Sequence, residues 1–331
     1  MADANKGNKG PSSTAIEAIA GLMAGTAGNL VGHPFELVRT RLQIDNRKAG
    51  SPNSATMTSI ALKVFRSKHP MANFYRGLTP NLVGGAASWA LFFSSKSNFE
   101  MFLATLKTNP ASVSASTQAK LNPADYFIAA TLAGGFTQLI TNPIWVIKTR
   151  MISTNRSDPG AIQNIWHGAA RIFREEGPLG FYKGLSMSLF GVSQGAVQFA
   201  FYDPIKNFYL ARQRHAQQIH PDGGDGKAEK LDIQTTLLIS TTAKVIAQAS
   251  VYPYQVVRAR LQTENAAVRF GKGVRGVARR MWLEEGFLGF YKGLGTATLR
   301  MLPSTWTTFL VYENVRYYLP RYMAGGEENL S

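Results

Sequence analysis

The 331-residue chain has no cysteine, so disulfides, thiolate nucleophiles and cysteine-ligated metals are excluded. Acids are scarce as well: 20 Asp and Glu stand against 36 Lys and Arg, a formal net charge of +16. That balance suits nucleic acid, an anionic membrane surface or an anionic ligand, and composition alone does not choose among them. No P-loop and no His-Glu-x-x-His string occurs, and the five histidines are scattered, so nothing points to an enzyme. Asp222–Gly226 lacks the acids of a twelve-residue calcium loop and reads as a turn. Neither a metal nor a cofactor is expected. A nucleic-acid binder would gather its bases on one face with aromatics between them. Here they flank apolar stretches, so no nucleic-acid partner is expected.

What the chain does have is repetition. Asn142–Met151 (Asn-Pro-Ile-Trp-Val-Ile-Lys-Thr-Arg-Met) has two relatives, His33–Leu42 and Tyr252–Leu261. Their prolines, Pro34, Pro143 and Pro253, lie 109 and 110 residues apart. Each copy reads Pro-x-x-Val/Leu-Val/Ile-Lys/Arg-x-Arg. A second marker, Tyr75-Arg76-Gly77, Tyr182-Lys183-Gly184 or Tyr291-Lys292-Gly293, follows 41, 39 and 38 residues later. In the last two copies a Glu-Gly pair precedes it, Glu176-Gly177 and Glu285-Gly286. Three like units of about 110 residues in one body are the natural reading. We delimit them as 15–108, 121–212 and 230–320, between a disordered tail at 1–14 and a C-terminal tail at 321–331. The first fifteen residues resemble neither a signal peptide nor a transit peptide.

Mean hydropathy is only −0.10, yet two apolar or small-residue stretches occur per unit: Ile16–Pro34, Leu78–Phe93, Tyr126–Pro143, Leu185–Phe201, Ile233–Pro253 and Gly295–Val311. Each approaches the ~17–25 residues of a spanning helix, and their Gly, Ala, Ser, Thr and Gln suit helices that pack closely around a wet cavity. The prolines are expected to kink the odd-numbered spans, and short surface helices are expected at Met57–Ser67 and Ile162–Glu175. Lys and Arg are spread almost evenly between the two sets of loops, so charge bias gives no orientation.

With these motifs in triplicate, the chain resembles the mitochondrial carrier family over roughly residues 15 to 320. The resemblance implies an all-α membrane protein: six transmembrane helices in three tandem repeats, forming a pseudo-threefold barrel with three matrix surface helices. It also implies a monomer in the inner mitochondrial membrane, with the peroxisomal membrane as the alternative, working by alternating access and binding cardiolipin. Trp145, where the family usually has an acid, is characteristic of the branch that carries flavin, folate and nicotinamide or pyrimidine nucleotides. Thr141–Arg150, Leu189–Gly195 and Tyr291–Leu294 with Pro303–Thr305 look most like its FAD-carrying members. An anionic nucleotide such as FAD is the implied cargo, transported rather than held as a cofactor.

In the family, the acid after each proline pairs with the base of the next repeat and closes the matrix side. Only Glu36 is acidic here. Trp145 and Gln255 occupy the other two positions, while Arg39, Lys148 and Arg258 are all present. The expected contacts are Glu36 with Lys148, Trp145 with Arg258 as a cation–π pair, and Gln255 with Arg39. Gln43 and Gln262 match the family's bracing glutamines; Ile152 does not. At the cytoplasmic gate, Asp203, Lys206, Glu313 and Arg316 match the family pattern, whereas repeat one has Ser95, Lys96 and Phe99.

The repeat also locates a ligand. Asn29, Gln138 and Gln248, five residues before each proline, are expected to form a ring of amides. Nine residues before, the positions are Gly25, Gly134 and Lys244. A lysine inside an apolar span is a functional candidate, and at ~1.5 Å per residue Lys244 lies roughly 13 Å from its proline. Arg300 lies within the sixth span. With no carboxylate inside the spans, Lys244 and Arg300 read as unpaired cations for a pyrophosphate. Gln194, Gln198 and Trp89 are candidates for reading and stacking on a base, and Gly84 for making room.

Overall fold

The computed structural model describes residues 13–48, 54–107, 121–193 and 233–325, together with positions 52, 204 and 208. Among these there is no strand. The proline motifs sit on three long helices, α1 (Ser13–Gln43), α5 (Pro123–Ser153) and, further along the chain, α8 (Ile233–Gln262). Each helix runs on through its proline to the end of the motif.

Short helices follow each motif: α2 (Met57–Phe65) and α3 (Pro70–Phe74), then α6 (Ile165–Glu176), then α9 (Ala266–Phe270) and α10 (Gly273–Glu285). Their ends are written locally. Thr56 and Ser59 form a reciprocal capping box that starts α2. The Asn164 side chain accepts from the His167 amide at 2.8 Å to start α6. Gly177 and Gly286, at φ of +67° and +71°, end α6 and α10 where an L side chain would be strained. The repeated Glu-Gly pair is thus the last residue of a helix followed by its stop. The surface helices expected at 57–67 and 162–175 are found at Met57–Phe65 and Ile165–Glu176. Directly after the three Tyr-Lys/Arg-Gly markers come α4 (Leu78–Lys107), α7 (Leu185–Phe190) and α11 (Leu294–Gly325).

Three apolar clusters sit where each long helix meets its short helices. Leu37, Val38 and Leu42 pack with Val64; Val146, Ile147 and Met151 with Ile162 and Ile172; Tyr252, Val256 and Val257 with Phe270, Val277 and Met281. Burying each such side chain is worth about 1.5–3 kcal/mol.

Polar bonds then fix the motifs to one another. The residue before each proline reaches the marker of its own repeat or the residue just before it. His33 Nε2 meets the Arg76 carbonyl at 3.0 Å, Asn142 donates to the Phe181 carbonyl at 2.6 Å, and the Tyr252 hydroxyl donates to the Lys292 carbonyl at 3.0 Å. The second base of each motif reaches the next repeat. Arg41 Nε donates to the Ile152 carbonyl at 3.0 Å, Arg150 Nε to Gln262 at 3.1 Å and Arg260 Nε to Gln43 at 2.9 Å. Repeat one holds two, two holds three, and three holds one. The marker glycines complete the join: Gly77, Gly184 and Gly293 have φ of +80°, +76° and +84°. A Cβ on them would lie 3.5, 3.3 and 3.1 Å from the carbonyls of Lys148, Arg258 and Arg39, the same position in each following repeat.

Burial runs opposite to that of a water-soluble bundle. His33, Glu36, Lys148, Arg150, Gln248, Arg260 and Gln262 are buried, whereas Leu22, Trp89, Phe93, Phe136, Trp306, Phe309 and Leu310 are exposed. Among the described residues, no helix is long and apolar enough to cross a membrane. The expected spans therefore do not stand out helix by helix, because the long helices mix buried polar residues with exposed apolar ones; most of the fourth, 194–201, lies outside the described residues.

Candidate functional site

The C-terminal halves of α1, α5 and α8 converge on a cavity of about 360 Å³. Arg39, Lys148, Arg258 and Arg300 line it, and among the described residues Glu36 is its only acid, so the described side chains carry four positive charges against one negative, a net +3. Trp145, Gln138, Gln248, Gln255, Gln43 and Gln262 line it too. Eleven of the residues singled out from the sequence therefore meet at one place. Thr40, Thr149, Ile152, Tyr254 and Ala259 complete the wall.

Glu36 organises the charges. Its carboxylate receives Lys148 Nζ at 3.1 Å, Arg39 at 3.4 Å and the guanidinium of Arg300. The pair with Lys148 is the one expected from the repeats. Arg300 is a correction: it was read as an unpaired cation, but α11 lies close enough to α1 for it to reach Glu36. Gly28 and Gly32 explain the approach. A Cβ on Gly28 would collide with the Thr308 hydroxyl and sit 3.0 Å from the Ser304 carbonyl, and one on Gly32 would sit 3.5 Å from Arg300 Cγ. Residues 28, 32 and 36 thus meet 308, 304 and 300 along one antiparallel seam.

Arg39 also donates to the Gln255 side-chain oxygen, as expected, and Gln248 Nε2 donates to the same oxygen at 3.1 Å. The Trp145 ring is engaged by Lys148, at 5.1 Å from its centroid, not by Arg258. Lys148 is three residues on along the same helix, where side chains are neighbours. Trp145 Nε1 is oriented by the Thr141 hydroxyl at 3.2 Å. Gln43 Nε2 donates to the Tyr252 hydroxyl at 3.1 Å, and Gln262 accepts from the Thr149 hydroxyl at 2.9 Å. Among the described residues, Arg39 Nε, Arg258 Nε and Gln138 Oε1 are buried without a hydrogen-bond partner.

Other candidates lie apart from this cavity. Asn29 is exposed on α1 and does not join Gln138 and Gln248 in lining the cavity; it lies seven residues, two turns, before Glu36 on the same helical face. Lys244 is also exposed, on the face of α8 that carries Gln248 and Gln255. Gly84 is buried, but Ile144 and Trp145 fill the space beside it, so it admits a neighbouring helix rather than a ligand. Trp89 is exposed and stacks on Phe93 at 5.5 Å, away from the cavity. Gln194, Gln198, Asp203 and Lys206 lie outside the described residues. Glu313 and Arg316 are exposed and make no ion pair among the described residues, while Lys96 is held by Glu100 at 2.5 Å.

Two acids escaped the sequence reading. Glu176 receives Arg150 at 2.7 Å and Lys183 at 2.9 Å, and Glu285 is gripped by Arg260 and Lys292. The signal was the repeated Glu-Gly pair read together with the second base of each motif. Repeat one has His69 at the equivalent place, and there Arg41 and Arg76 bond carbonyls of repeat two instead.

An all-helical protein of three like units, closed on a cationic cavity by residues of all three, has the build of a solute carrier. The sequence model of the family described as "Mitochondrial carrier protein" matches residues 10–107, 119–213 and 229–323, and the chain belongs to that family, whose members are transporters rather than enzymes. The chain is 33% identical to the mitochondrial FAD carrier protein FLX1 of Saccharomyces cerevisiae, over 92% of this chain and 96% of that one. It is 31% identical to nicotinamide adenine dinucleotide transporter 1, chloroplastic, of Arabidopsis thaliana, over 95% of each chain. It is also 31% identical to folate transporter 1, chloroplastic, of the same plant, over 90% of this chain and 93% of that one.

Proposed function

We propose that this protein carries FAD across the inner mitochondrial membrane by alternating access, its six long segments spanning the bilayer as one pseudo-threefold barrel. The observation that carries this reading is the cavity at the junction of the three repeats, with four cations and a single carboxylate among the described residues. Such a site attracts a multiply charged anion, and guanidinium groups grip phosphate oxygens with paired hydrogen bonds. Spanning is supported by the ring of exposed aromatic and aliphatic side chains on the outer faces of α1, α4, α5 and α11, which lipid would cover.

FAD is favoured as cargo by Trp145 and by the full-length likeness to the yeast FAD carrier. NAD and folate are the competing cargoes, because their transporters match over comparable lengths. The phosphates are assigned to the cavity cations, with Lys244, on the face of α8 that carries Gln248, reached by the part of the cargo that extends beyond the cavity, and Gln138, Gln248, Gln194 and Gln198 are assigned to the ring systems. The deciding experiment is uptake of labelled FAD, NAD, folate and CoA into liposomes containing the purified chain. Saturable FAD uptake is expected; uptake of NAD or folate with FAD excluded overturns the assignment.

A further inference from the structure

The three junctions between repeats differ at the level of the gate. Glu36 of repeat one meets Lys148 of repeat two at 3.1 Å, and Gln255 of repeat three accepts from Arg39 of repeat one. The third junction, Trp145 of repeat two with Arg258 of repeat three, is unbridged, because the ring is engaged by Lys148 of its own helix. Glu36 is already shared by Lys148, Arg39 and Arg300, so no carboxylate among the described residues reaches Arg258. Donors are left over around this junction. Arg258 Nε, Arg39 Nε and Gln262 Nε2 are buried without a hydrogen-bond partner among the described residues, and their side chains line the same cavity. Arg258 and Gln262 are four residues apart on α8 and share one face. The lining acceptor in the same condition, Gln138 Oε1, stands ten residues before Lys148, roughly 15 Å away along α5.

We propose that a small inorganic anion, of the size of chloride or orthophosphate, binds at Arg258 and completes the unbridged junction in place of the carboxylate that position 145 lacks. A buried guanidinium without an acid partner carries a desolvation cost that a bound anion offsets. The anion also supplies the acceptor that the three leftover donors need, through charge-assisted hydrogen bonds. Those donors come from repeats one and three, and Trp145 of repeat two closes the site with an apolar wall. The site therefore exists only while the three repeats are together at this level. Binding stabilises the closed arrangement, and the anion is released as the gate opens, because it contacts the two states differently. The anion thus sets how easily the gate opens, whatever the cargo is.

The test follows the melting temperature of the full chain in detergent as chloride or orthophosphate replaces gluconate at constant pH and ionic strength. The wild type is expected to show a saturable rise with at least one of the two anions, about 2 °C at ten times Kd. Arg258→Gln abolishes the rise by removing the site, and Trp145→Glu abolishes it by supplying the carboxylate from the protein. Lys244→Gln, on an exposed part of α8 away from the cavity, keeps the full rise, which separates this site from the outer contacts of the cargo. A flat wild-type curve with both anions, or a rise that survives Arg258→Gln and Trp145→Glu, overturns the proposal. Should Arg258→Gln not fold, Trp145→Glu decides alone. The melting curves are read without cargo, so a failure of FAD uptake would overturn the cargo assignment and leave the anion site standing.

Discussion

Glu176 illustrates how much a single acid does in a chain so short of them. Burial opposes its ionisation, but the hydrogen bonds from Arg150 and Lys183 outweigh it and hold the carboxyl below the ordinary glutamate value. A depressed folded-state value means that its stabilising contribution is complete above the unfolded-state value and is lost as pH falls through the folded one. Acidification below about pH 4 is therefore expected to lower the melting temperature of the wild type more steeply than that of Glu176→Gln. The variant starts lower at neutral pH. Parallel curves for the two proteins would remove Glu176 from the stabilising set. At this scale, legibility depended on sequence distance. Glu36 with Lys148 and Arg39 with Gln255 follow from numbering the repeats. The partner of Trp145 was misassigned because a residue one turn away on its own helix competes with one from another repeat. Arg300 was misassigned because its partner is 264 positions away and is reached only through the packing of α11 on α1.

At the scale of the element, that packing is carried by residues whose role is to be small. Gly28 and Gly32 face Ser304 and Thr308, with the Ser304 hydroxyl donating to the Gly28 carbonyl at 3.0 Å. A branched side chain has nowhere to go, since the nearest obstacles include a backbone carbonyl. Gly28→Val is expected to destabilise the protein by about 1–3 kcal/mol through overpacking. Gly21→Val, at a position open to its surroundings, is expected to change little. Thermal melting of the two variants side by side checks this. The long helices and their short companions were legible in the sequence because caps, stops and apolar spacing are local signals. The helices α1, α5 and α8 also run on through their prolines to the basic ends of the motifs. Close packing through small residues was expected of the spans in general, but that Gly28 and Gly32 are the ones in contact, and with α11, is a property of the assembled body.

The molecule as a whole is a cationic cavity inside an apolar exterior. Fields from a lining whose described residues sum to +3 are screened by salt over roughly 8–10 Å at physiological strength. Raising ionic strength in the uptake assay is therefore expected to increase KM for an anionic cargo several-fold with little change in maximal rate. An equal fall in both would place the salt effect on the moving protein instead. The threefold plan was legible from the spacing of the prolines and markers, whereas the apolar exterior was blurred because every long helix also contributes polar lining.

The closed cycle of arginine bonds has a consequence for assembly. The bond from Arg260 to the Gln43 carbonyl and the seam between α1 and α11 join the two extremes of the chain, so the first helix made must wait for the last. During synthesis α1 stands with Glu36 and its small-residue stripe uncovered until the third repeat has emerged. Loop closure over most of the chain length then forms the final contact. The vulnerable period in the life of this protein is thus the interval before it becomes a ring, and losing α11 would damage the first repeat as much as the third.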